Sequence, residues 1–112
     1  MMAEELAARV QACDLAASAF RHVQHVQLGW HYLRTYPLLT AVTTFATVLQ
    51  RFAVHHGAHR KYDERITVSY MLLIEERRRD DPSADWSTFA ARNADLIDDG
   101  MGLPCISASF GL

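Results

Sequence analysis

The sequence predicts an all-α single domain, most simply an antiparallel bundle of four to five helices over residues 1–100 with an extended tail over 101–112. Three observations carry this expectation. Apolar residues recur at helical spacing nearly throughout the chain. The periodic stretches are separated by single breakers, Pro37, Gly57, Pro82 and Gly100. The composition is that of a globular chain: 112 residues, 50% hydrophobic and 21% charged, with 5 Gly and 3 Pro. That length suits one domain and buries enough surface for a core without disulfides.

From Glu4 to about Tyr36 the apolar positions fit one long helix or two shorter ones, the break falling near Cys13-Asp14 with Asp14 as cap of the second piece. Val23, Val26, Gly29, Trp30 and Leu33 share one arc of the second piece, which is its core side. A glycine inside a helix costs about 1 kcal/mol relative to alanine, so Gly29 points to a close approach by a neighbouring element.

The next helix is the best defined. Pro37 suits a first turn and Gly57 the position just past a helix end. Between them Leu38, Val42, Phe45, Leu49, Phe52 and His56 form a heptad-like seam. Asp63 to about Arg79 follows, with Ile66, Tyr70, Leu73 and Ile74 on one side and Val68, Met71 and Leu72 over much of the rest. A helix apolar on most sides is normally surrounded, which places this one centrally. Its Arg77-Arg78-Arg79 run reads as a solvated end that complements the carbonyl pole of the helix. A short helix containing Trp86, Phe89 and Ala90 starts at Asp81-Pro82 or at Asp85 and closes near Asn93. Beyond Gly100 the periodicity is lost, and Leu103, Ile106 and Phe110 belong to the tail.

Composition also excludes function classes. A net charge of −2 leaves no bulk electrostatic case for nucleic acid or anionic membrane as partner. Cys13 and Cys105 stand far apart, without CxxC spacing, which fits a reducing cytoplasm. Met1-Met2-Ala3-Glu4-Glu5 is acidic where a signal peptide would be basic, and the greasy stretch from Leu38 to Leu49 is too short for a bilayer. There is no GxSxG, HExxH, Walker or dinucleotide-glycine motif.

Six histidines are many for such a chain. His22 and His25, three apart on a helix, can direct both rings to one point, with Tyr32 beside them. Glu64 projects with Val68 and Met71 on a face suited to burial, and a buried carboxylate demands a partner. Tyr62 and Asp63 precede it and Thr67 follows. One expectation is therefore a polar pocket lined by His22, His25, Tyr32, Tyr62, Asp63, Glu64 and Thr67. His22, His25 and Glu64 form a ligand set for a divalent metal such as zinc or iron. Without metal, His25 and Glu64 form a catalytic acid/base pair. The plainer expectation is that the histidines bond backbone carbonyls or Glu64 and hold helices in register. His55, His56 and His59 read as cations or caps at a helix C-terminus. Trp30, Tyr32, Tyr36 and Trp86 read as core or interface aromatics.

Two stretches resemble an uncharacterised group of small bacterial helical proteins. One runs Phe20-Arg21-His22-Val23-Gln24-His25-Val26-Gln27-Leu28-Gly29-Trp30-His31-Tyr32-Leu33, then Tyr36-Pro37. The other, Tyr62-Asp63-Glu64-Arg65-Ile66-Thr67, is similar to the group's Tyr-His-Glu-Thr-Ile-Thr, departing at Asp63 and Arg65. The resemblance implies that His25, Tyr62, Glu64 and Thr67 are the positions to examine first. The functional expectation is a His/Glu/Tyr-lined pocket for a small molecule or metal ion, with acid/base catalysis. The alternative is a non-enzymatic interaction module acting as a homodimer.

Overall fold

In the computed structural model, which describes residues 1–58, 60 and 62–98, the chain is all-helical and no strand occurs among the described residues. The tail 101–112, together with His59 and Gly100, lies outside the described residues. The helices are α1 (Ala3–Gln11), α2 (His22–Thr35), α3 (Leu38–His55), α4 (Glu64–Asp80), α5 (Trp86–Arg92) and α6 (Ala94–Asp98), with a 3-10 turn over Ala17–Ala19. None of them is long and apolar enough to cross a membrane.

The break near Cys13 is real, and its form differs from the expected one. α1 buries Ala3, Leu6, Ala7 and Val10, an i, i+3, i+4, i+7 stripe. It then closes in a Schellman turn: the Cys13 N–H donates to the Val10 carbonyl at 3.0 Å and the Asp14 N–H to the Arg9 carbonyl at 2.8 Å, with Cys13 at φ 53°. Asp14 thus completes the end of α1 and does not cap α2, which starts eight residues later. The Arg9 guanidinium bonds the Asp14 carbonyl at 3.0 and 3.2 Å, which fixes the turn further.

α2 starts with Arg21 in extended conformation, its N–H bonded to the Gln24 side chain at 3.0 Å, one arm of a capping box. It ends at Tyr36, which the following Pro37 holds extended (ψ 159°). α3 runs between Pro37 and Gly57 as expected, and Gly57 (φ 72°) supplies the left-handed residue of a second Schellman turn, with Ala58 N–H to the Ala53 carbonyl at 2.7 Å. The middle of the α3 seam is fully buried at Phe45, Leu49 and Phe52, while Leu38 is exposed.

The central helix is α2, not α4. Every residue from His25 to Trp30 is buried, followed by Tyr32 and Leu33, and α2 packs against α1, α3, α4 and α6. α4 buries only Thr67, Tyr70, Met71 and Ile74, leaving Leu72 at 53% exposure. The misleading signal was hydropathy: the α2 surface contains His25, Gln27 and Gly29, which lower its apolar score, yet between His22 and Leu33 it bears no Asp, Glu, Lys or Arg. Gly29 has the close neighbours its position demanded. A Cβ there would lie 2.8 Å from Met71 Sδ and 3.2 Å from Ile74 Cδ1 of α4.

Asp85, not Asp81-Pro82, caps α5, its carboxylate accepting the Thr88 N–H at 2.9 Å. The basic run at the end of α4 is only partly solvated. Arg77 bonds Asn93 at 2.9 Å and Asp95 at 2.9 and 3.1 Å, which anchors the α5–α6 corner to α4.

Candidate functional site

His22, the first residue of α2, is fixed by two other helices. Its Nε2 lies 3.0 Å from the Leu96 carbonyl of α6, and its ring meets Tyr70 of α4 edge-on at 5.3 Å. A carbonyl only accepts, so Nε2–H is the donor and Nδ1 is the ring's remaining polar atom. That Nδ1 is buried and has no hydrogen-bond partner.

One turn on, His25 is fully buried. Its Nδ1–H donates to the Arg21 carbonyl at 2.8 Å, and its ring stacks on Phe20 at 3.9 Å. Burial lowers its pKa to about 3, against the opposing pull of the Arg21 carbonyl and with the neighbouring His22 adding to the fall. The imidazole is neutral at pH 7. One nitrogen of each histidine therefore bonds a backbone carbonyl, as the plainer expectation holds.

From His25 a chain of rings leads to α3. Phe20 meets Phe52 edge-on at 4.9 Å, and Phe52 lies 4.4 Å from His56. His56 Nε2 is a second buried nitrogen without a partner. His56 was expected as a cap, and it does terminate α3; the signal for its inward placement was its position four residues beyond Phe52, on the buried seam.

Tyr62 packs against the core just ahead of α4, its hydroxyl buried beside the Thr67 side chain. Burial pushes this phenol above its usual pKa, the neighbouring Thr67 side chain pulls it back, and the charges of Glu64 and Asp63 raise it again. Thr67 is buried and spends its hydroxyl proton on the Asp63 carbonyl at 3.1 Å.

Three expected residues take other roles. Glu64 is exposed, not buried: side chains lean toward the start of their helix, and at the first position of α4 Glu64 leans past the packed stripe into solvent. Asp63 caps α4, its carboxylate accepting the Arg65 N–H at 2.9 Å; the Arg65 side chain beside it holds its pKa below the usual carboxylate value. Tyr32 lies ten residues along α2 from His22, about 15 Å at 1.5 Å per residue. Its hydroxyl accepts from Gln11 Nε2 at 2.7 Å, which makes it an α1–α2 link outside the site. The metal set is not assembled either, since among the described residues no three His, Cys, Asp or Glu side chains are grouped to hold an ion. With Glu64 exposed, His22 and His25 lack the buried carboxylate that was expected to complete the set, and His25 Nδ1 bonds the Arg21 carbonyl.

The arrangement offers hydrogen-bonding atoms at His22 Nδ1, His56 Nε2 and the Tyr62 hydroxyl. The chain matches no family model, no curated protein and no solved structure.

Proposed function

We propose that the chain is a small-molecule-binding domain whose ligand is uncharged and is recognised by hydrogen bonds at the histidine end of the fold. The reading takes the helices as an antiparallel bundle, so that the start of α2, the end of α3 and the start of α4 share one end. The carrying observation is a pair of buried nitrogens without partners, His22 Nδ1 and His56 Nε2, with the buried Tyr62 hydroxyl as a third polar group. An unpaired buried group costs roughly 1–3 kcal/mol, a penalty that a ligand supplying complementary groups relieves. An uncharged ligand fits because His25 is held neutral and Glu64 stands outside.

Nicotinamide is a suitable probe, having a donor, an acceptor and a flat ring. We expect saturable changes in the imidazole 15N resonances of His22 and His56 that weaken about tenfold in Tyr62→Phe, the equivalent of one good hydrogen bond at 1.4 kcal/mol. Equal titration of the Tyr62→Phe variant, or no response at either histidine, would count against this reading.

A second reading, a homodimer formed through α3, is favoured by the 81% exposure of Leu39 and the 63% exposure of Val54. Arg51 is the one Asp, Glu, Lys or Arg on α3, and its guanidinium is turned to the Gln11 carbonyl at 3.2 Å, so two copies can face one another without charge repulsion. Light scattering across a concentration series, repeated with Leu39→Glu, tests it: a monomer mass at all concentrations overturns it.

A further inference from the structure

A cleft of about 510 Å³ lies between the start of α1, the middle of α2 and the start of α5, and its lining includes none of His22, His56 and Tyr62. Its size is that of a site for one small organic molecule. The floor is aromatic: Trp30 and Trp86 are 5.5 Å apart at 56°, with Trp30 buried and Trp86 half-exposed. The walls are acidic. Glu4 and Glu5 in the first turn of α1 and Asp85 ahead of α5 all line it and are exposed to solvent. Among the described residues neither Glu4 nor Glu5 forms an ion pair at contact distance with Lys, Arg or His. Asp85 spends one oxygen on the Thr88 N–H.

The one cationic side chain in the lining is Arg34, against three carboxylates. Arg34 shows what the floor accepts. Its guanidinium carbon lies 4.6 Å from the Trp30 ring centroid, so the indole face already holds a cation. His31, whose pKa burial lowers, is neutral beside Glu4 and adds no competing charge.

We propose that this cleft binds a small organic cation, an ammonium or guanidinium carried on an aromatic body. The aromatic body lies on Trp86 and the charge sits among Glu4, Glu5 and Asp85. Indole faces attract cations through their quadrupole, and solvent-exposed carboxylates around a low-dielectric floor raise the local concentration of positive ligands. Apolar ligands would find the floor without using the walls, and anions would meet three like charges.

The test uses three probes that share one body and differ in charge: phenethylamine, 2-phenylethanol and phenylacetate. The readout is the pair of indole N–H resonances, since Trp30 and Trp86 are the two tryptophans of the chain. Phenethylamine is expected to shift both saturably, with a Kd about tenfold below that of 2-phenylethanol and with no saturation by phenylacetate. The amine's affinity should fall with salt. Glu5→Gln combined with Asp85→Asn should weaken the amine about tenfold while leaving 2-phenylethanol unchanged; asparagine caps a helix as well as aspartate, so the fold is retained. Trp86→Ala should abolish the shift at Trp30, with circular dichroism confirming the helices. Three probes of equal affinity, no saturation by about 20 mM amine, or an amine Kd unmoved in the double variant would each overturn the proposal.

Discussion

Acidification should destabilise this chain through His25. The ring has no exposed surface and a pKa of about 3, whereas in the unfolded chain it returns to the ordinary 6.5. Between those values the unfolded state binds the proton and the folded state does not, so stability is highest above pH 6.5 and is lost as the pH falls. Integrating that difference gives a loss of about 2 kcal/mol at pH 5 and about 3 kcal/mol at pH 4.5, against a typical total of roughly 5–15 kcal/mol. His31, also lowered by burial, adds to the fall in the same direction. Asp63, Asp85 and Asp95 are held below the usual carboxylate value, so their losses come at more acid pH than the start of the His25 window.

His25→Phe isolates the histidine. Phenylalanine keeps the stack on Phe20, and the Arg21 carbonyl keeps the backbone N–H of residue 25 at 3.0 Å. Urea unfolding of both proteins from pH 7.5 to 4.5 should show the variant gaining about 3 kcal/mol on the parent over that range, whatever its cost at neutral pH. Parallel pH profiles would refute the burial of a neutral imidazole.

Three further outcomes follow from packing and backbone geometry. Gly29→Val should lose roughly 1–3 kcal/mol in chemical denaturation, because the new side chain meets Met71 and Ile74 where a Cβ alone already approaches to 2.8 Å. Cys13→Gly should gain about 1 kcal/mol, since φ 53° is strained for any side chain, while Gly57→Ala should lose a similar amount with nothing within 4 Å of the added Cβ to confuse the comparison. Asn93→Ala should cost about 1–3 kcal/mol and loosen α6 in hydrogen exchange, because the buried amide joins the Phe89 carbonyl to Arg77, each at 2.9 Å.

What the sequence reveals about this chain depends on how local the determining forces are. α3 is legible to the residue because Pro37 and Gly57 act through their own φ angles, and those limits apply in any tertiary setting. Gly29 is legible for a related reason: an interior glycine is expensive in a helix and so marks contact, here with α4. The rank of the helices was hidden because burial of α2 rests on which neighbours surround it, and two of its buried polar residues find backbone carbonyls. His25 bonds a carbonyl in its own turn, and Gln27 Nε2 bonds the Met1 carbonyl at 3.2 Å. The same reasoning divides the candidate site. His22 and His25 are close because three residues on a helix make them so, but Glu64 was assigned to them by a periodicity that says nothing about where a packed stripe stops. His56 runs the other way: its neighbours in sequence suggest a solvated end, while its register with Phe52 places one nitrogen inside. A histidine's chemistry is thus set by which single atom is sealed from water, a property of atoms that residue-level patterns average away.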